Sequence, residues 1–392
     1  MKKLIITLQI IVLANMAMAQ SWANPQQNAM LYYGSNQNYT VPAFTTAASL
    51  FSRPVWQQGG AQLNAFNMPV GLPVFTTNGQ TAWDISGGIL PNGTGLLGGN
   101  NCATPATVIA MDSTTGYLVT TSNITGNNFV YYSRYRTGYL GGTSYLPSID
   151  AIQKNVQLFG TGNANRFLEK ATVVRVPGSA DFWLILHAIN PLAPVGGFLP
   201  RSNTISVFKG NGVGISFFAN YNLGTPVGFD RGQMKSSDVL GSGCYIAAAY
   251  SGERKIDVYN FNASTGIMGL FGIRDCVPLG VMPYGIEFAK QFTYIYFTNR
   301  WANNSLGRLD LVPALTPTMN TTITPAPRNG RFGEMQLMGD NNIYFPIRNR
   351  SFITQIVNPT SFGPLSGFST LPVNTLLLSS PATWGIPNFN RI

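Results

Sequence analysis

The sequence contains a single histidine, which limits the acid–base and nucleophilic chemistry open to it. Any Ser-His-Asp or Cys-His mechanism must use His187. This residue stands between Leu186 and Ala188 in an apolar segment, a setting that favours a half-buried structural histidine. The G-x-S-x-G pattern of serine hydrolases does not occur in the sequence. We therefore predict no catalytic residues of these classes.

Carboxylates recur at similar places in three repeated units, and glycoside hydrolysis requires two facing carboxylates. Each lies near the start of a unit, on the strand that we expect to be innermost, and basic and amide side chains occupy comparable positions. The candidate ligand contacts of a central channel are Glu169, Lys170, Lys235, Glu287, Glu334 and Gln336. Such a ring could bind a polar ligand. The alternative is that these side chains pair with one another and fill the channel.

Three glycine- or aspartate-containing loops resemble ligand-binding motifs only in part. LPNGTGLLGGN, residues 90–100, lacks the Gly-Lys-Ser/Thr ending of a phosphate-binding loop. MDSTTG (111–116) and MGDNN (338–342) lack the regular acidic ligands and terminal Glu of a calcium loop. We predict turns at all three, with a weak calcium site as the alternative for the last two, and we predict no cofactor and no metal.

Aromatic residues are abundant, with 24 Phe, 17 Tyr and 6 Trp. Most alternate with polar residues, which is typical of packing between sheets. Tyr131, Tyr135 and Trp301 fit that alternation less well and are candidate loop aromatics. Exposed aromatic rings of this kind provide the flat apolar contact that sugar-binding surfaces use.

The three cysteines are Cys102, Cys244 and Cys276. In an exported protein an odd count allows one disulfide and leaves one thiol over. Cys244 and Cys276 each fall at the inner edge of successive predicted units, so we favour that pair. Three buried free thiols are the alternative.

The elements that would position these residues are short strand pairs at similar spacing, each an apolar strand, a polar turn and an alternating strand. The clearest is CYIAAAYSGERKIDVYNFNASTG, residues 244–266. We predict seven such units: 72–88, 104–135, 169–218, 244–266 with the preceding 231–241, 284–312, 333–358, and a composite of 384–389 with 30–51. Repetition at this scale indicates a radial array. We predict an all-β β-propeller of seven four-stranded blades, with six or eight as alternatives.

The composite unit would close the ring. WGIPNF near the C-terminus predicts an innermost strand, and MLYYG, residues 30–34, predicts a strand without an inner neighbour. Pairing the N- and C-terminal strands would remove the free edges of the array. We further predict insertions at 137–165 and 191–201, which are rich in Gly and Pro.

The first residues are typical of a secretory signal peptide: Lys2 and Lys3, an apolar run, and the Ala-Met-Ala site that ends at residue 19. We predict a signal peptide over 1–19 and one β-propeller domain over 20–392, with no transmembrane segment. The formal charge of +10 reflects few acidic residues (14 Asp and Glu) and no basic cluster. Nucleic acid is therefore not an expected partner.

Segments along most of the chain resemble, in order, the WD40-like seven-bladed β-propeller module of secreted Bacteroidetes proteins associated with gliding motility and type IX secretion. The segments are LYYGSN, PVFTTNGQTAWD, LPNGTGLLGGN, EKATVVRV, DFWLILHAIN, RGQMKSS, KIDVYNFNASTG, PYGIEF, GEMQLMGDNNIYF and WGIPNF. The resemblance implies export, although the C-terminal sorting domain of that family is missing. It implies no catalytic residues.

We therefore expect an exported, non-enzymatic propeller that acts as a binding or scaffold module at the cell envelope or outside the cell. Its partner would be an envelope or extracellular protein, or a polysaccharide. The alternatives are a carbohydrate-binding or carbohydrate-active envelope protein and a structural subunit of a surface assembly. The periplasm, the outer-membrane surface and the extracellular space all remain open, and the sequence does not define an oligomeric state.

Overall fold

A computed structural model describes the part of the chain that carries most of the predicted units. The described residues are 30–33, 37–40, 60–64, 73–84, 88–99, 106–112, 114–122, 129–141, 144–159, 166–189, 201–228, 230–289, 294–299, 305–311, 320–325, 332–337, 342–346, 353–357, 359, 369–372 and 387–388. The predicted signal peptide, Cys102 and Trp301 lie outside these residues, as do residues 191–200 of the predicted insertion at 191–201.

The described residues are built from short strands and one 3-10 turn, Val277–Leu279. In chain order the strands are β1 (Met30–Tyr33), β2 (Gln37–Thr40), β3 (Gly60–Asn64), β4 (Pro73–Thr77), β5 (Ala82–Asp84), β6 (Ala106–Ala110), β7 (Thr115–Thr121), β8 (Val130–Gly141), β9 (Ser144–Ile149), β10 (Val156–Gln157), β11 (Arg166–Arg175), β12 (Phe182–Ile189), β13 (Ser202–Gly210), β14 (Ile215–Val227), β15 (Met234–Ser236), β16 (Gly243–Tyr250), β17 (Lys255–Asn262), β18 (Met268–Asp275), β19 (Pro283–Phe288), β20 (Tyr294–Asn299), β21 (Ser305–Asp310), β22 (Asn320–Pro325), β23 (Gln336–Leu337), β24 (Ile343–Pro346), β25 (Ile353–Val357), β26 (Ser369–Pro372) and β27 (Pro387–Asn388). Within the same residues, no helix has the length and apolar character needed to cross a membrane.

These strands form an all-β β-propeller. Within the described part of the chain there are five four-stranded blades and one five-stranded sheet. Sheet I has the order β27-β3-β4-β5, and sheet II has β10-β8-β7-β6 with β9 on β8. Sheets III, IV, V and VI are β11 to β14, β15 to β18, β19 to β22 and β23 to β26, each in chain order. The pair β1-β2 stands by itself in the hydrogen-bonding pattern.

The predicted units correspond well to these sheets, but the predicted count of seven blades is not confirmed. The C-terminal strand β27 pairs in parallel with β3, which belongs to the same sheet as the predicted unit 72–88. We expected the C-terminal segment to pair with Met30–Tyr33. In the described structure that strand, β1, pairs with β2, although β1 and β27 are in contact. The reason is the strand GAQLN, residues 60–64, whose short and weakly apolar sequence does not predict a strand.

A second correction concerns the predicted insertion at 137–165. Strand β8 runs for 12 residues. It pairs with β7 through 130–136 and with β9 through 135–141. Strand β10 pairs with the start of β8. Much of this Gly- and Pro-containing segment is therefore part of sheet II and does not form a separate loop.

Alternation along the strands produces a separate apolar core on each side of a sheet. In β16, Cys244, Ile246, Ala248 and Tyr250 pack with residues of sheet III. The intervening Ala247 and Ala249 pack with Ile286 and Phe297 of sheet V. Burying a large apolar side chain contributes about 1.5–3 kcal/mol, so these inter-sheet layers are the main source of stability.

The first strands of successive sheets lie next to one another. Strand β11 contacts β15, β15 contacts β19, and β19 contacts β23. These four strands form the inner edge of sheets III to VI. Side chains that project from them can therefore meet across two or three sheets.

Candidate functional site

The six predicted channel residues all lie on, or within two residues of, the first strands of sheets III to VI. Glu169 and Lys170 are in β11, Lys235 in β15, Glu287 in β19, Gln336 in β23, and Glu334 two residues before β23. Their exposed fractions range from 0% to 6%. Each is buried within the protein, so little of its surface is available to a ligand. Their role as ligand contacts stays a prediction.

Three of these residues meet around one charged centre. The Lys235 Nζ lies 2.7 Å from the Gln336 Oε1 and 3.7 Å from the Glu287 Oε2. The Glu287 carboxylate also accepts backbone N–H bonds from Phe288 (2.9 Å) and Leu337 (3.0 Å). The Gln336 amide nitrogen donates to the Leu337 carbonyl at 3.0 Å. These bonds connect the inner strands of sheets IV, V and VI. They also supply the additional partners that a buried ion pair needs to offset its desolvation.

A neighbouring glutamine makes a second connection between the same three sheets. The Gln233 Oε1 accepts the backbone N–H of Ile286 at 3.1 Å and that of Met335 at 2.9 Å. The Gln233 backbone N–H donates to the Tyr284 carbonyl at 2.8 Å. Sequence reasoning missed this residue, which directly precedes β15. Its position beside Lys235 in RGQMKSS was the available signal.

Sheets V and VI also approach closely at a glycine. The Gly285 backbone N–H donates to the Thr298 Oγ1 at 2.8 Å, and this hydroxyl donates to the Gly333 carbonyl at 2.9 Å. A Cβ atom at position 285 would lie 2.4 Å from the Gly333 carbonyl oxygen, closer than carbon and oxygen can pack. A side chain is excluded here by the neighbouring backbone.

A second buried polar cluster lies between sheets III and IV and includes the single histidine. The His187 Nε2 lies 3.0 Å from the Ser202 carbonyl oxygen, so this nitrogen carries the proton and donates. The His187 Nδ1 then accepts from the Tyr250 hydroxyl at 2.9 Å. Burial lowers the histidine pKa from 6.5 to about 3. The expected structural role is in keeping with this setting, and the residue is fully buried rather than half-buried.

Within sheet IV the cluster continues from Tyr250 to Tyr259 and Asp257. The Tyr250 and Tyr259 hydroxyl oxygens are 3.4 Å apart, and the Tyr259 hydroxyl lies 3.0 Å from the Asp257 Oδ2. The backbone N–H and hydroxyl of Thr225 donate to the same carboxyl group at 2.6 and 2.7 Å. Burial raises the pKa of Asp257, against the lowering effect of these hydrogen bonds.

Lys170 also contacts the second cluster. Its Nζ lies 5.0 Å from the centre of the Tyr250 ring and 3.5 Å from the Asp230 carbonyl oxygen. The Lys170 charge also adds to the lowering of the His187 pKa. Lys170 therefore contacts this second cluster, while Lys235 contacts Glu287 and Gln336.

The predicted loop aromatics are only partly where the sequence suggested. Tyr135 lies in strand β8, is 1% exposed, and packs edge-on against Phe75 with ring centres 5.1 Å apart. The prediction of an exposed ring at Tyr135 is therefore wrong. The sequence around Tyr135 does not show the simple alternation of a strand in a regular blade, and β8 pairs with three other strands. Tyr131 is half-buried in the same strand, and Trp301 lies outside the described residues.

The predicted disulfide between Cys244 and Cys276 is not formed, since both cysteines are free and buried. Cys244 packs in the core between sheets III and IV, whereas Cys276 packs in the core between sheets IV and V. The two thiols therefore lie on opposite sides of one sheet. Burial raises the pKa of each to about 12, so both thiols are protonated and poorly nucleophilic at neutral pH.

A cavity of about 740 Å³ lies at one end of sheet IV. Its walls come from the connection between β15 and β16, the adjoining ends of β16, β17 and β18, and Leu311 after β21. The sequence gives no indication of this cavity, because strand alternation does not show that the ends of β16, β17 and β18 form a concave surface with Leu311. Within the described ranges, no group of three or more His, Cys, Asp or Glu side chains could hold a metal ion.

Comparisons with known proteins are limited to distant structural similarity. No protein-family model matches the chain, and no curated protein matches it. An exo-β-1,3-galactanase from Phanerochaete chrysosporium is 10% identical with a TM-score of 0.43, over 70% of this chain and 59% of that one. A candidate 6-phosphogluconolactonase from Bacteroides uniformis is 12% identical with a TM-score of 0.44, over 83% and 98%. Virginiamycin B lyase from Staphylococcus aureus is 18% identical with a TM-score of 0.33, over 57% and 60%. At these low scores we transfer no activity to this chain.

Proposed function

We propose that this protein is an exported, non-enzymatic β-propeller that serves as a binding or scaffold module. The observation that carries the proposal is the bonding of Lys235, Glu287 and Gln336 to one another across three sheets. Charged groups used in this way fix the relative positions of the blades. A rigid ring of this kind suits a protein that presents a surface to a partner.

The arrangement of ionisable groups gives little support to an enzyme. A general acid or base must come within hydrogen-bond reach of its substrate. Glu169, Glu287 and His187 are at most 1% exposed, and Glu287 and His187 form hydrogen bonds with neighbouring protein groups.

The finer parts of the proposal are the place of action and the family. We propose export through the signal peptide over 1–19 to the envelope or beyond, with an envelope or extracellular protein, or a polysaccharide, as partner. The ordered segments that resemble the secreted Bacteroidetes module support this, and that resemblance also keeps seven blades as the proposed number. Export is tested by N-terminal sequencing of the mature protein, which should begin at Gln20; retention of residues 1–19 would contradict it.

The non-enzymatic role is tested with purified mature protein. We expect no turnover of β-linked glycans or lactones, either by wild type or by Glu287→Gln. Hydrolysis by the wild type that is abolished in Glu287→Gln or Glu169→Gln, with unchanged folding, would overturn this role.

The binding role is tested by immobilising the protein, identifying a retained envelope protein or glycan, and titrating the purified partner. Saturable binding supports the proposal, and non-saturable retention of every partner contradicts it.

A further inference from the structure

We propose that the cavity at the end of sheet IV is a binding site for a small, non-anionic organic molecule that has an apolar ring or chain. This goes beyond the proposed role as a module for a macromolecular partner. It concerns a different part of the protein from the inner-strand layer.

The size and position of the cavity suit a small ligand. Its volume of about 740 Å³ falls within the range of roughly 300–1,000 Å³ that is usual for small-molecule sites. Leu311, which follows the last residue of β21 in sheet V, completes a wall otherwise formed by sheet IV. Concave sites commonly occur where two structural units meet in this way.

The lining is mainly apolar. Phe261 and Met268 are 2% and 5% exposed and belong to the core between sheets III and IV, and Leu311 is 6% exposed and belongs to the core between sheets IV and V. Leu240 and Ile267 line the same cavity and are 66% and 60% exposed. An apolar ligand would cover these two side chains, and removing their apolar surface from water would favour binding.

The polar side chains that line the cavity restrict the charge of the ligands that it can bind. The Asn262 Oδ1 accepts the backbone N–H groups of Ser264 and Thr265, both at 3.0 Å, which leaves its amide nitrogen as the donor. Asn260 is exposed on the adjoining strand position and contributes a second amide. Asp238 is the one charged side chain among the described residues that line the cavity. The described lining contains no Lys, Arg or His, so the charge of an anionic ligand would have no cation there to offset it.

The walls are held in place before any ligand binds. The Ala263 backbone N–H donates to the Ser242 carbonyl at 2.6 Å, which joins the β17–β18 turn to the β15–β16 turn. The Ser237 Oγ accepts the Tyr245 backbone N–H at 2.9 Å. A preformed cavity binds with a smaller loss of conformational entropy than one that must be ordered on binding.

The test uses the neutral fluorescent probe N-phenyl-naphthylamine with purified protein. A Cβ at Gly269 would meet open space at the cavity wall, so Gly269→Trp should fill the cavity without backbone strain. Gly212→Trp is the matched control, because a Cβ there also meets open space and the residue does not line the cavity. We expect saturable binding by wild type and the control, and binding weaker by about tenfold in Gly269→Trp, which corresponds to about 1.4 kcal/mol.

A second pair of variants covers the case in which Gly269→Trp fails to fold. Ile267→Glu adds a negative charge at the exposed rim, and Val213→Glu makes the same change at an 81% exposed position in another turn. Ile267→Glu should weaken the probe and Val213→Glu should not. The anionic probe anilinonaphthalene sulfonate should bind wild type more weakly than the neutral one. Equal binding of the neutral probe by wild type and Ile267→Glu, absence of saturable binding to wild type, or preference for the anionic probe would overturn the proposal.

Discussion

Lys235 on β15 reaches past β19 to Gln336 on β23, and its Nζ lies 2.7 Å from the glutamine Oε1. The intervening strand supplies the Glu287 carboxylate at 3.7 Å from the same Nζ. One lysine therefore holds three consecutive inner strands. The side chains of Lys235 and Glu287 are only 7% and 1% exposed. Removing one partner of a buried pair like this strongly destabilises the fold.

Replacing Lys235 by Met should destabilise the fold by about 2–4 kcal/mol, because it leaves the buried Glu287 charge without its cation. The same replacement at Lys209, whose 42% exposed side chain pairs with Asp181 at 3.3 Å, should cost less than about 1 kcal/mol. Urea unfolding followed by circular dichroism measures both. Similar unfolding midpoints for the two variants would show that the inner pair contributes no more than a surface pair.

Gln233→Met should also be strongly destabilising, although it changes neither charge nor size greatly. The Gln233 Oε1 accepts two buried backbone N–H groups, and both would lose their acceptor. An unsatisfied buried donor costs about 1–3 kcal/mol, so we expect the loss of both bonds to cost about 2–6 kcal/mol. Gln80→Met, at an exposed position, is the control and should leave the unfolding midpoint within experimental error.

The single histidine predicts a specific dependence of stability on pH. The pKa of His187 is about 3 in the folded protein and 6.5 in the unfolded chain. Its contribution to the free energy of unfolding is fully present above pH 6.5. As the pH is lowered from 6.5 to 3 this contribution is lost, because only the unfolded chain takes up the proton. The slope approaches about 1.4 kcal/mol per pH unit.

His187→Gln should remove the histidine's part of this slope between pH 6.5 and pH 5. The carboxyl groups, including Asp257 with its raised pKa, are present in both proteins, so the difference between them reports His187. The measurement is the free energy of unfolding in urea at several pH values for wild type and variant. An equal loss of stability in both proteins over this window would mean that His187 is accessible to protons in the folded state.

The two described cysteines should behave as free, unreactive thiols. In a Cys102→Ser background, a thiol reagent should label neither residue in the folded protein at neutral pH, since both are buried and have a pKa near 12. After denaturation without reductant, two thiols should react, as counted by mass spectrometry. Labelling of neither cysteine in the denatured chain would indicate the Cys244–Cys276 disulfide instead.

The β-propeller class could be predicted because its main signal is local. Strands β16 and β17, with a turn over 251–254, follow directly from the alternation and the polar turn in residues 244–266. The inner placement of Lys235 and Glu287 follows from their position at the start of each unit. These properties depend on residues that are close in sequence.

The closure of sheet I and the contacts of Gln233 could not be predicted in the same way. The strand GAQLN has no β-branched residue, so its pairing with β27 depends on tertiary context. The two acceptor contacts of Gln233 join positions 53 and 102 residues away. Such contacts depend on the register and curvature of neighbouring sheets, which alternation does not define. The same limit explains the disulfide error, since the side of the sheet taken by Cys276 is decided after β18 ends.

A double-mutant cycle between Lys235 and Gln336 tests the account of a rigid, internally bonded ring most directly. The free energy of unfolding is measured for wild type, Lys235→Met, Gln336→Leu and the double variant. We predict a coupling energy of about 1–3 kcal/mol, because the two side chains bond across the strand between them. Strictly additive losses, with no coupling beyond experimental error, would contradict the claim that the inner strands are joined through these groups.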